Sequence, residues 1–568
     1  MASEITVDAS VPAQEAAAQP IAKQPPPEKP AHTRRRTHVI LSFWLIVLVL
    51  GLPIWWKTTS IYRADLPLER MLQWADGKVR LHPHALSTLC QSFSLYATRL
   101  LTCIFQACRP AFPLQISVRA DSIADQEAQH LVRLTQHALD DLNDFPGHHL
   151  RLKLSPKSDT KPPNLSRQDA DSALTINLTP GDANSAQLSQ HSAVLDMTYA
   201  PNSIPSLHSA SSALAAYMAN ELQSTFSEEQ SIISYLLSTS SMSSTARQHG
   251  LGQEAAESLK KRTTRSLRYA PTYHLSFSLF TDGATPNTWD IDAAINEYMK
   301  PMLDVLGPIH NFTIDTQVQL YATPGVQSQI LNKEHLASFI NAAEWPLSPS
   351  IGGAPTVNFI IFVGNQTIGS DSAQVENSQS WMIPQWGSVY LLPLAPTEQH
   401  VSANALKQPL LMFGGHLLTL LGTPQSGSLP LRLSSLARVR TMDLLLRASS
   451  SLGSLARLSP SLPSISIPRS VAEGVSSSLQ HLEQACANLG GPEGLLHARV
   501  AEEEAERAFF EKSMVGQLYF PDEHKIAVYL PLLGPVGVPL VLGLVNELKN
   551  WIRKRKQKAK EAREKKGQ

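Results

Sequence analysis

Val39–Trp56 reads VILSFWLIVLVLGLPIWW, eighteen residues without a charge. As a helix rising about 1.5 Å per residue it covers roughly 27 Å, close to the ~30 Å hydrocarbon core of a bilayer. No other feature constrains the chain as tightly, because a run this apolar must be kept from water. A long polar leader precedes it, and it ends in Trp55 and Trp56, an interfacial aromatic anchor. These features favour an uncleaved signal-anchor over a signal peptide, whose apolar stretch is shorter, or a buried helix. A second run, Ile526–Val545, has twenty uncharged residues and carries Pro531, Pro535 and Pro539 at a spacing of four. That spacing puts three prolines on one helix face, where the carbonyls they free need protein partners in lipid. A tolerated kink and a helix packed against other membrane helices both remain open.

Orientation follows from the positive charges. Arg34, Arg35 and Arg36 stand before the first run, and Lys549, Arg553, Lys554, Arg555, Lys556, Lys558 and Lys560 follow the second. Both outer ends are therefore expected in the cytosol, with one large region between the spans on the far side. The resulting division is a disordered N-terminus at 1–38, a span at 39–56, a lumenal domain at 57–525, a span at 526–548 and a basic tail at 549–568. The sequons at Asn164, Asn177, Asn311 and Asn365 all fall in the lumenal region. Asn311 is favoured for modification, because it begins a strand after Gly307-Pro308. Pro180, just beyond its threonine, counts against Asn177. Lys565 and Lys566, three and four from the end, have the form of the cytosolic dilysine signal that returns membrane proteins to the endoplasmic reticulum.

Over 568 residues, Lys+Arg 48 and Asp+Glu 48 cancel, so no global field points to nucleic acid. A hydrophobic share of 43% is too low for a multi-span channel or transporter. Inside the lumenal region, Leu114–Val118 reads as a strand and residues 234–268 as a low-complexity surface excursion. Tyr273, Leu275, Phe277 and Leu279 alternate with polar residues, the period of a half-buried strand. Asp290 can cap a helix with Ile291, Ala294, Ile295 and Tyr298 on one face, which Pro301 interrupts and restarts. Phe312–Leu320 alternates again, closing a strand, helix, strand unit that should cross over into a parallel pair. A helix near His335–Ala343 then leads to VNFIIFV at 357–363, a run suited to a strand covered on both faces, and Ser388–Leu392 adds another strand. Leu410–Leu421, Leu433–Leu458, Val471–Asn488 and Leu495–Phe510 read as helices. The expected fold is an α/β lumenal domain, a mixed sheet with covering helices and a C-terminal helical layer, held between two transmembrane helices.

The common catalytic and cofactor signatures, H-E-x-x-H, G-x-S-x-G, the Walker loop and G-x-G-x-x-G, are absent from this sequence. Cys90, Cys103 and Cys108 cluster, and Cys486 stands alone. A disulfide or buried thiols are expected, since only His82 and His84 offer themselves as further metal ligands. His416 is expected to be structural, and Glu502, Glu503, Glu504 and Glu506 to form a solvated helix face. No catalytic, cofactor or metal residue is assigned.

Several segments together resemble one family. Trp56-Lys57-Thr58-Thr59 with Tyr62-Arg63-Ala64 and Leu66-Pro67 looks like its opening signature. Tyr273-His274-Leu275, Phe277-Ser278-Leu279, Trp289-Asp290-Ile291, Asn311-Phe312-Thr313, Gln317-Val318, Tyr321-Ala322 and Trp386-Gly387 are similar to its central block, in order. Ala508-Phe509-Phe510 and Leu518-Tyr519-Phe520-Pro521-Asp522 then run into the proline-spaced second span. The family is PIG-S, a subunit of the glycosylphosphatidylinositol (GPI) transamidase of the endoplasmic reticulum. The resemblance implies a non-catalytic lumenal scaffold with two spans, without cofactor, whose partners are PIG-K, PIG-T, PIG-U and a Gaa-type subunit. The cysteine-protease-like PIG-K would carry the chemistry. The alternative is an independent lumenal, membrane-tethered α/β hydrolase or transferase, for which the sequence displays no catalytic set.

Overall fold

The computed structural model describes residues 30–59, 62–77, 112–142, 148–155, 172–239, 253–340, 345, 353–369, 378–395, 397–462, 465–489, 491–514 and 522–564. Cys90, Cys103, Cys108, His82, His84, Asn164, Leu518–Pro521, Lys565 and Lys566 lie outside the described residues. The chain forms two units: residues 63–515 are one, and residues 1–62 with 516–568 are the other.

Helix α1 (Pro30–Ile46) runs through a π turn at Val47–Gly51 into α2 (Leu52–Thr59). Residues 30–38 are thus helical rather than disordered. Proline is tolerated in a first turn, and the Ala31 and Arg34–Arg36 that follow are good helix formers. Among the described residues one helix, Arg34–Ile54, is long and apolar enough to cross a membrane, and none of it is buried.

In the 63–515 unit, Arg63 follows as the first anchor. Its guanidinium donates to the Leu462 carbonyl at 3.0 Å and the Ser459 carbonyl at 2.6 Å, and the Ala64 amide donates to the Ile467 carbonyl. Amphipathic α3 (Leu68–Ala75) then buries Met71, Trp74 and Ala75.

Two five-stranded sheets follow, and they share one topology. In the first, β1 (Phe112–Arg119) leads through α4 (Asp125–Leu142) to β2 (His148–Leu154). Then come β3 (Leu174–Pro180), β4 (Ser185–Leu188), β5 (Val194–Tyr199) and the long α5 (Ala213–Thr239). The order across the sheet is β2-β1-β3-β5-β4, parallel except for the edge strand β4. One face is apolar: Phe112, Leu114, Ile116 and Val118 of β1 join Leu131 of α4 and Leu222 and Phe226 of α5 in the core.

After α6 (Gln253–Arg265), β6 (Thr272–Thr281) leads through α7 (Ile291–Ala294), a π turn at Ile295–Met299 and α8 (Lys300–Leu306) to β7 (Asn311–Gln319). Pro301 opens α8. Next come α9 (Lys333–Ser338), β8 (Thr356–Val363), β9 (Ser380–Ile383), β10 (Gly387–Leu392) and α10 (Ala403–Leu420). The order is β7-β6-β8-β10-β9, again parallel except for the edge strand β9. Each half is a strand, helix, strand crossover followed by three strands and a closing helix. The parallel β6–β7 pair and the central position of β8 match the sequence expectation. Asp290 precedes α7, but its side chain makes no capping bond; it pairs instead with His400 Nε2 at 3.0 Å. Residues 234–239 and 253–265 are helical, which corrects the surface excursion expected at 234–268 at those positions; residues 240–252 lie outside the described residues.

Both faces of β8 are covered. Phe359 stacks on Phe277 at 5.1 Å and meets Phe413 of α10 at 4.9 Å, while Phe362 faces Phe339 and Trp345 in a second, aromatic core. Gly387 opens β10 at φ 154°, where a Cβ would run into the Asn358 carbonyl.

The helical layer follows in the expected order: α11 (Leu429–Ser461), α12 (Arg469–Ala487) and α13 (Pro492–Phe509). In the other unit, α14 (Asp522–Glu564) carries the second apolar run with its three prolines. There, Glu547 of α14 accepts from Arg36 Nε at 3.2 Å and Thr37 Oγ1 at 3.1 Å, both of α1.

Candidate functional site

The densest buried chemistry lies where α11 meets the first half. Glu229 of α5 is 2% exposed, yet its surroundings favour the charged carboxylate. Burial alone would raise its carboxyl, but Arg438, with His148 beside it, holds it far below the usual carboxylate range. Arg438 forks onto it, Nε to Oε1 at 2.6 Å and Nη2 to Oε2 at 2.7 Å. The Ser435 hydroxyl donates to Oε2, and His148 Nε2 at the start of β2 lies 3.2 Å from Oε1. One carboxylate thus ties three elements together. Next to it, Glu228 accepts from Arg262 of α6, the Ser426 hydroxyl and the Gln425 and Ser426 amides. Burial opposes ionisation there too, but these donors carry the carboxyl down to about 2. Sequence periodicity missed both sites. The available signal was a charge placed among apolar neighbours on a helix, as in Arg438 within LARVRTM.

The sequence-singled residues are dispersed. His416 of α10 is half-buried, with its pKa lowered by burial, and its Nδ1 lies 2.5 Å from Ser388 Oγ. This is a serine–histidine pair without the access a nucleophile needs: Ser388 is fully buried, and its hydroxyl also donates to the Trp381 carbonyl at 3.2 Å. Cys486 lies half-buried on α12, and among the described residues no group of three or more His, Cys, Asp and Glu could hold a metal ion.

The acidic run on α13 differs from a uniformly solvated face. Glu503 and Glu506 are exposed, but Glu504 pairs with Arg507, and Glu502 is half-buried. Burial first, then the neighbouring Glu506, pushes the Glu502 carboxyl up to about 7. Of the sequons, Asn311 stands exposed at the start of the edge strand β7, and Asn365 is exposed just after β8. Asn177 sits within β3, donating to Asp196 Oδ1 at 2.9 Å.

Comparison with known proteins bears on what this body is for. The family described as "PIG-S: Phosphatidylinositol-glycan biosynthesis class S protein" matches residues 42–554. The chain belongs to the PIG-S family. Similar proteins include the "GPI transamidase component PIG-S homolog" of Schizosaccharomyces pombe, 26% identical over 93% of this chain and 86% of that protein. The "GPI transamidase component GPI17" of Saccharomyces cerevisiae is 25% identical over 93% of this chain and 94% of its own. The human "GPI-anchor transamidase component PIGS" is 26% identical over 90% and 94%. The PIG-S segments noted in the sequence have structural duties in this chain. Arg63 occupies the last carbonyls of α11, where a cation also favours the helix dipole. The Tyr273 hydroxyl donates to the Arg268 carbonyl, and Trp386-Gly387 makes the tight entry to β10.

Proposed function

We propose that this chain is a non-catalytic, membrane-anchored scaffold subunit of the endoplasmic reticulum GPI transamidase, supporting attachment of GPI anchors to proprotein C-termini. The observation that carries this reading is the PIG-S match over 42–554, together with relatives named as transamidase components that align along nearly their whole length. Its partners are PIG-K, PIG-T, PIG-U and a Gaa-type subunit. The chain holds its 57–525 region in the lumen between spans at 39–56 and 526–548, with both termini in the cytosol. The positive charges outside both apolar runs support this topology, and an exposed Asn311 supports its use as a glycan site. Lys565 and Lys566 act as the retrieval signal. Such a subunit acts by holding a catalytic partner and two substrates in register, so the contribution is one of position.

Purifying the tagged full-length chain in mild detergent and identifying its companions tests the reading. A cysteine-protease-like subunit should come with it; a chain that purifies alone, or with unrelated proteins, would overturn it. Protease added to sealed microsomes should trim both ends and spare the middle, and digestion of the middle would refute the topology.

A further inference from the structure

A cavity of about 720 Å³ opens between α5, α6, α11 and the loop that enters β6. Its volume is that of a site for a small organic molecule rather than a bare ion. Arg262, Arg265, Arg268, Arg440 and Arg447 line it, with Asp443 the one carboxylate among the lining residues. Among the described residues two carboxylates lie within ion-pair distance of these guanidinium groups, Asp443, 3.1 Å from Arg447 Nε, and Glu228, on Arg262, while Glu502 of α13 also feels the Arg447 charge. Among the described residues, Arg265 and Arg268 have no carboxylate within ion-pair distance. Of the five, Arg265 and Arg268 are exposed, Arg262 and Arg447 are part-exposed, and Arg440 alone is buried, so the cost of an uncompensated buried cation falls on Arg440.

Arg440 makes the strongest case. It is 8% exposed, deep for an arginine. One Nη2–H is committed to the Leu421 carbonyl at 2.7 Å, and the guanidinium lies over the Tyr269 ring, 5.7 Å from its centre. Its nearest carboxylate oxygen, on Asp443, is 3.9 Å away, too far for a hydrogen bond, and its Nε–H has no acceptor. At the rim, Gln385 is held at φ 60°, a conformation rare outside glycine. Its amide donates to the Arg265 carbonyl and its side chain to the Thr264 carbonyl.

We infer that this cavity is a binding site for a phosphate ester carried on a small organic body. Several guanidinium groups lining one cavity suit a doubly charged tetrahedral oxyanion better than a single carboxylate, because each fork presents paired N–H donors. The aliphatic wall contributed by α5, including Leu236, suits the organic part. The site is independent of the scaffold reading, since it rests on side chains within residues 63–515.

Two probes separate the sources of such a phosphate: inorganic phosphate and short-chain dihexanoyl phosphatidic acid, with dihexanoylglycerol as the uncharged control. Binding to the full-length protein in detergent is followed by calorimetry and by the rise in melting temperature that a native-state ligand produces. Phosphatidic acid should bind saturably and the neutral lipid should not. Arg440→Gln should weaken binding about tenfold or more, as should Arg265→Gln, whose exposed side chain spares the fold. Arg133→Gln, an equal charge change on the exposed face of α4, should bind like the parent. Binding of phosphatidic acid alone assigns the site to a lipid headgroup, and binding of both probes assigns it to phosphate as such. Absence of saturable binding by either probe, or binding unaltered in Arg265→Gln, would overturn the site.

Discussion

The two halves of the 63–515 unit are built on one strand order but are covered differently. The first sheet keeps one apolar face and one polar face. On β5, Leu195, Met197 and Tyr199 are buried, while the alternate Asp196 is exposed. The second sheet buries both faces of its central strand, with Val357, Phe359 and Ile361 on one side and Ile360 and Phe362 on the other. Parallel strands are normally covered on both sides. The same topology therefore serves two packing regimes. The first half derives its rigidity from buried charge as well as from apolar area, through Glu229, Arg438 and His148. The second derives it from aromatic packing.

The largest effect expected from breaking this contrast falls on the charged joint. Glu229→Gln leaves Arg438 buried without its counterion and should cost about 3–5 kcal/mol, read as denaturant midpoint or loss of folded yield. Replacing both partners, Glu229→Leu with Arg438→Met, should recover most of that loss; a double variant as unstable as the single would show that the charge is not the cause. Next, Ile360→Ala on the second face of β8 should cost about 2–5 kcal/mol. Asn177→Ala on the polar face of β3 should cost about 0.5 kcal/mol or less. Equal losses at the two positions would erase the distinction between the sheets.

A smaller effect is pH-dependent. Glu502 has a folded-state pKa raised from 4.5 to about 7, so the unfolded chain ionises first as pH rises. The stability associated with its neutral form is full below about pH 4.5 and is lost as pH climbs towards 7. Because the group is partly solvated, the loss is on the order of 1 kcal/mol. Glu502→Gln should flatten that slope, and an unchanged pH profile would refute the assignment. The smallest effect on the fold is expected from Asn311→Gln. It should leave stability unaltered while abolishing the mobility shift on glycosidase treatment of a protein in which this site is used; unchanged migration with and without glycosidase would count against Asn311.

These regimes also explain what the sequence made legible. VNFIIFV at 357–363 is a direct signature of a covered strand. The alternation through Tyr273–Leu279 marks a strand but not its burial: expected half-buried, β6 is covered on both faces, with the small polar Ser276 and Ser278 buried alongside Tyr273, Leu275, Phe277 and Leu279. Of the first sheet only Leu114–Val118 was read. Its other strands are short and polar on one face, and β4 has no buried residue at all. The repetition of the strand order is a property of pairing, which no local pattern displays. Ion pairs such as Glu229–Arg438 join residues 209 positions apart, beyond the reach of any window. His416 stands isolated in the sequence, but in the fold Ser388 lies beside it, from a different element 28 positions away.

The central claim is that the chain supports transamidation by position rather than by chemistry of its own. The most direct test removes the native protein and supplies either the parent chain or a Ser388→Ala, His416→Ala double variant, then measures GPI attachment alongside co-purification of the complex. Without the protein, uncleaved proproteins should accumulate in the endoplasmic reticulum. The double variant should restore attachment wherever it restores the complex. A complex that assembles fully around the variant but attaches no GPI would contradict the claim.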